Sequence, residues 1–255
     1  MPVTNFEGFT LPTLGGVADH TYVINSHGDI YPCKGRSKGG TIICSNQGSR
    51  SYANCLAQTD LKAGIMYGLT GVCHQIANRI LYPSQQYVSK AKGYRGSVFV
   101  WGVYGRGNWS ELYQCQPPSN VAITPQPNDP TPFDQSIKNL YEQSHFSNLP
   151  ENIHTSELYI MIKTFIGDEI TDNKYEELMD LHSHLYAQMN TLISDFVEHS
   201  IRPIEYVKFI NKLQRNILSE CHEILGVDNF IALFGTEIEQ TGGFIDEEIF
   251  LGLYE

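Results

Sequence analysis

The sequence predicts an α+β fold, a small antiparallel sheet with a cysteine-bearing helix followed by a C-terminal helical region. Three observations predict it. Before residue 116 the apolar runs are short, bounded by glycine and rich in Val, Ile, Tyr and Phe, which reads as strands. After residue 133 apolar residues recur at helical spacing. Between these halves runs QPPSNVAITPQPNDPTPF (116–133), which holds six of the 12 prolines. Proline fixes φ and removes a donor, so this stretch is neither a helix nor a central strand. It reads as a semi-extended linker or wrapping arm, or else as an ordered loop within a single domain. The organisation expected is thus a domain over 1–115, a linker over 116–133 and a helical region over 134–255.

The strand readings are HTYVIN (20–25), DIYPCKG (29–35), GGTIICS (39–45) and GSVFVWGVYG (96–105). SHGD (26–29) between the first two carries a two-residue hairpin signal. The helical readings are firmer. Leu178, Leu181, Leu185, Leu192 and Phe196 follow one face, and Val207, Ile210, Leu213, Ile217, Cys221 and Ile224 follow another. Asn173 with Glu176 offers a capping box for the first of these helices. Pro203 and Gly226 punctuate the second. NFIALFG (229–235) reads as a terminal amphipathic helix that packs the bundle.

Composition excludes several classes. With 41% hydrophobic and 18% charged residues the chain can build a core. No stretch approaches the ~18 apolar residues of a membrane helix, and the start lacks the pattern of a secretory signal. The net charge of -11 argues against a nucleic-acid partner. It is unevenly spread. Residues 1–120 carry 10 Lys/Arg against 5 Asp/Glu, and residues 121–255 carry 7 against 23. The acidic half is a candidate surface for a protein partner, or for the basic half of the same chain. The default location is cytoplasmic, with export as an effector lacking a cleaved signal as the alternative.

Six cysteines stand at 33, 44, 55, 73, 115 and 221. They form no CxxC pair and no zinc spacing, and the expectation for most is a buried free thiol. No metal or cofactor is implied. Cys73 differs from the rest. It follows glycines 64, 68 and 71, and after it Ile76, Ala77, Ile80 and Leu81 share a helical face that Pro83 ends. This places a thiol at a helix N-terminus, where free N–H groups and the dipole favour a thiolate and could hold an oxyanion. The glycines would let a substrate approach the backbone. A nucleophilic thiol needs a base. His74 is adjacent in sequence and points elsewhere on a helix, whereas His20 opens a strand beside the predicted helix.

The text DHTYVINSHGDIYPCKG (19–35) followed by GLTGVCHQIANRIL (68–81) resembles the circularly permuted branch of the NlpC/P60 papain-like cysteine hydrolase superfamily, in which the histidine strand precedes the cysteine helix. The resemblance covers roughly residues 10–110. It implies Cys73 as nucleophile and His20 as general base, acting on a peptide or peptidoglycan-like amide through a thioester. Acyl transfer or deamidation through the same thioester, and an inactive binding protein, are the alternatives. The family's third polar residue falls near Pro32 or Cys33, neither of which suits the role. Asp29, Asn46 or a backbone carbonyl are the substitutes.

The remaining candidates are weaker. His182 and His184 lie two apart on a helix and make a poor metal pair, while Asp180/His184 and Asp195/His199 read as solvated pairs. GYRGSVFVWGVYGRG (93–107) does not run from strand to helix and is no phosphate loop. Its aromatics, with Trp101, Tyr104 and Trp109, are expected to complete the sheet and line a cleft.

Overall fold

The computed structural model describes residues 4–16, 18–32, 37–58, 63–84, 86–106, 115, 131–144 and 153–255. The chain is α+β, as its hydrophobic patterning predicts. Four strands, β1 (Thr4–Thr13), β2 (Ala18–Asn25), β3 (Ile30–Pro32) and β4 (Thr41–Gly48), form an antiparallel sheet in the order β3-β2-β1-β4. Nine helices follow among the described residues. They are α1 (Arg50–Ala57), α2 (Cys73–Leu81), α3 (Tyr94–Trp101), α4 (Pro132–Ser144), α5 (Ile153–Phe165), α6 (Asp172–Val197), α7 (Pro203–Leu225), α8 (Val227–Phe234) and α9 (Glu247–Tyr254). None of them is long and apolar enough to cross a membrane.

The sheet is centred on β1, which the sequence reading passed over. Phe6, Gly8 and Thr10 of β1 stand opposite Asn25, Val23 and Thr21 of β2, and cross-strand partners share a face. Against this face packs α2. A Cβ on Gly8 would lie 2.6 Å from Cys44 Sγ and 3.3 Å from Val88 Cγ1, so glycine leaves room for both, with Leu81 of α2 bordering the same space. The other face carries Thr13, Leu11 and His20.

Every residue of α2 is buried. Its polar residues survive there because three of them take up successive backbone carbonyls of the segment after α3. Gln75 Nε2 donates to Gly102 O at 2.9 Å, Asn78 Nδ2 to Val103 O at 2.8 Å, and Arg79 Nε to Tyr104 O at 2.6 Å. A buried donor left unmet costs about 1–3 kcal/mol, so this ladder is what permits a polar stripe in a core helix.

Several local expectations are corrected. Residues 96–105 are not a strand: Tyr94–Trp101 is helical, entered through Gly93 (φ 78°) and left through Gly102 (φ 75°). The run is buried on nearly all sides, which erases the period that separates a helix from a strand. Trp101 and Tyr104 accordingly lie in the core. Trp101 stacks edge-on against Phe244 and Tyr104 against Tyr141, whereas Trp109 lies outside the described residues. The β2–β3 connection spans four residues rather than two, because Asn25 Oδ1 accepts the amides of His27 and Asp29 and widens the turn. Thr171, not Asn173, caps α6, its hydroxyl accepting from Lys174 N. The helix from Pro203 to Gly226 and the helix through NFIALFG are as predicted, although α9 follows the latter. Residues 116–130 of the expected linker lie outside the described residues, and Pro132 is the first residue of α4.

Of the cysteines, Cys55 and Cys115 are joined in a disulfide, while Cys44, Cys73 and Cys221 are free and Cys33 lies outside the described residues. The pairing had no sequence signal, since its partners stand 60 positions apart and meet only in the fold.

Candidate functional site

Cys73 is the first residue of α2, as its glycine-rich approach predicts. Gln75 Oε1 accepts the Val72 amide and closes the helix start. The sulfur meets the edge of β2 on either side of His20. It lies 3.9 Å from Asp19 O, and the Thr21 amide and hydroxyl and the amides of Cys73 and His74 all act to favour its thiolate. Burial nevertheless outweighs these donors and raises the thiol pKa above its ordinary value. Burial thus works against the thiolate that the helix position favours. The residue is 6% exposed, too dry for the dipole to decide the matter.

His20 stands on the same stretch of β2 and is itself buried. Burial lowers its pKa, so at neutral pH the ring is uncharged and its nitrogen lone pair is available. Among the described residues its Nε2 has no hydrogen-bond partner. Side chains alternate along a strand, so with Thr21 turned toward the sulfur, His20 projects to the face that carries Thr13. The fold thus brings Cys73 to the backbone flanking His20 and makes no hydrogen bond between sulfur and imidazole.

His74, next to Cys73 in the chain, has both ring nitrogens committed. A carbonyl can only accept, so Nε2–H donates to Asp19 O at 3.0 Å, and Nδ1 accepts from the Ser97 hydroxyl at 2.8 Å. Burial lowers its pKa to about 4. It holds α2 against β2 and has no lone pair to spare.

The group that acts on His20 comes from the far end of the chain. Asp246 raises the His20 pKa against the effect of burial. Its Oδ2 accepts from Thr13 Oγ1 at 3.0 Å, on the His20 face of the sheet, and its Oδ1 caps α9 at the Ile249 amide. Neither substitute from the sequence does this. Asp29 is held by Arg50 and Asn25 at the opposite end of β2, and Asn46 donates to Ser84 O from β4. The side chains of Pro32 and Cys33 lie outside the described residues. Asp246 carried a helix-start signal in the sequence, D-E-E before an apolar run, but no signal for its place beside a strand 226 positions earlier.

The glycine approach to Cys73 also has a structural use. Gly68 adopts φ +80°, and a Cβ there would lie 2.7 Å from Phe250. Tyr206 Oη donates to its carbonyl at 3.0 Å. At Gly68 the close approach is therefore made by two C-terminal helices.

His182 is buried. Its Nε2–H donates to Phe99 O at 3.0 Å, and burial lowers its pKa to about 4. His184 contacts Gln188 on the exposed side of α6. Comparison of the chain with protein-family models, with curated proteins and with solved structures finds no match.

Proposed function

We propose that the chain is a cysteine hydrolase that cleaves a peptide-like amide through a thioester at Cys73, with His20 as general base. The observation that carries the reading is the meeting of Cys73, first in its helix, with the strand edge that bears His20, whose Nε2 has no hydrogen-bond partner among the described residues. Burial favours the neutral form of both groups. The chemistry is then general-base attack rather than reaction of a preformed ion pair. The step requires the His20 ring, which projects to the Thr13 face, to swing around the edge of β2; there it takes the S–H proton as sulfur bonds to the carbonyl carbon, and the amides around the sulfur receive the oxyanion. Protonated His20 returns the proton to the leaving amine as the C–N bond breaks, and water hydrolyses the thioester. Asp246 acts as a positioning residue for the imidazolium. Acyl transfer to an amine would use the same intermediate. The Cys55–Cys115 disulfide favours folding in an oxidising compartment, which supports export over the cytoplasmic default.

A binding protein with a structural thiol is the second reading, favoured by the raised thiol pKa and the missing sulfur–imidazole hydrogen bond. Time-resolved intact mass with peptide p-nitroanilides and with iodoacetamide separates the two. The hydrolase reading expects an acyl adduct on Cys73, none in Cys73→Ala, and a rate about 10²–10⁴-fold lower in His20→Gln at unchanged melting temperature. Iodoacetamide labelling that is indifferent to His20, without any acyl adduct, would establish the binding protein instead.

A further inference from the structure

A cleft of about 710 Å³ lies where α6 passes the start of α5 and the loop at Leu69 and Thr70. That is within the range of about 300–1,000 Å³ typical of small-ligand sites. Arg106 lies within it, with its guanidinium carbon 3.7 Å from the centroid of the Tyr186 ring. Stacking of this kind leaves the in-plane N–H groups to a planar acceptor. Among the described residues Arg106 Nη1 and Tyr186 Oη are both buried without a hydrogen-bond partner.

Arginine cannot relieve such a position by losing its proton. A shielded guanidinium without a counter-charge carries a desolvation cost that a bound anion would remove. The surroundings favour an anion. Among the described residues no Asp or Glu lines the cleft, although two of its walls belong to the half of the chain carrying 23 acidic residues. Glu157 is close by but turned inward, accepting from Val103 N at 2.9 Å, Tyr141 Oη at 2.7 Å and His154 Nδ1 at 2.9 Å. That last bond fixes the ring of His154, which lines the cleft beside the hydroxyl-bearing Thr155 and Ser183.

We infer that this cleft binds an oxyanion, a carboxylate or a phosphate, through Arg106 and the Tyr186 hydroxyl, with His154 held by Glu157 at its edge. The inference is independent of the hydrolase reading.

Inorganic phosphate and, separately, acetate are titrated into the full chain at constant ionic strength. Ring-proton NMR of His154 and Tyr186 and the melting temperature follow binding. The expected result is a saturable shift at both rings and a melting temperature that rises with ligand. Arg106→Gln should weaken binding at least tenfold. Thr155→Glu sets a charge on an exposed rim position and should weaken it comparably without changing the ligand-free melting temperature. Cys73→Ala should bind as the parent does. The stronger of the two probes identifies the ligand chemistry as phosphate or carboxylate. Shifts that grow without saturation, or equal affinity in the parent and Thr155→Glu, would overturn the inference.

Discussion

At the scale of single residues, burial decides the chemistry. His74 and His182 both donate Nε2–H to a backbone carbonyl, at Asp19 and Phe99, and both have pKa values lowered to about 4. A lowered pKa means that the unfolded chain binds the proton first. The stability these rings confer is therefore complete above pH 6.5 and is lost as pH falls from about 6.5 to about 4, by about 3 kcal/mol for each ring at most. The urea midpoint should drop across that window, and His74→Gln should flatten the drop; a level midpoint in the parent protein would refute this. His20 offers a sharper check of Asp246. Its pKa is lowered by burial and partly restored by that carboxylate. Asp246→Asn keeps a side-chain oxygen for the Ile249 amide and removes the charge. An NMR titration of the His20 ring should then give a still lower pKa. No change would remove Asp246 from the site.

At the scale of elements, what the sequence reveals depends on how many sides of an element are buried. α6 and α7 have an exposed face each, so their apolar stripes were legible and their register correct. α3 is buried on nearly all sides and was mistaken for a strand. β1 escaped notice because Gly8 and Thr10 occupy core-facing positions where a strand signal needs large apolar residues; the sheet uses that space for Cys44 and Val88. The start of α2 was legible because glycines and a closing proline bracket it, and so Cys73 was placed correctly. Asp246 was not, since only the folded chain brings it to β2. The cap of α6 separates a right helix from a wrong boundary. Thr171 accepts from Lys174 N, whereas the sequence pointed two residues later. Thr171→Ala should therefore cost about 1 kcal/mol in chemical denaturation, and Asn173→Ala only a few tenths. The reverse order would restore the boundary at Asn173.

At the scale of the molecule, the charge asymmetry invites the view that a basic half and an acidic half attract each other. The contacts between them are of another kind. Phe250 packs on Gly68, Phe244 on Trp101, and Arg95 donates to Ala232 O while lying over the Phe165 ring. The hydrophobic core runs from Phe6 to Phe250 across both halves. Asn211 exchanges two hydrogen bonds with the Ile245 backbone, holding the segment that carries Asp246 to the sheet. Among the described residues the exposed ion pairs Arg50–Asp29, Lys163–Asp168 and Arg202–Glu205 each lie within one half, and water screens such pairs so that they add little. Salt weakens exposed ion pairs but leaves apolar burial intact, and it also screens repulsion among the 23 acidic residues after residue 120. Raising sodium chloride from low to near-molar concentration should hold or raise the melting temperature, in a single transition. If salt instead lowered it sharply or split the transition in two, attraction between the halves would be what joins them. The acidic helices would then be bound by charge to their own chain and less free to meet a partner.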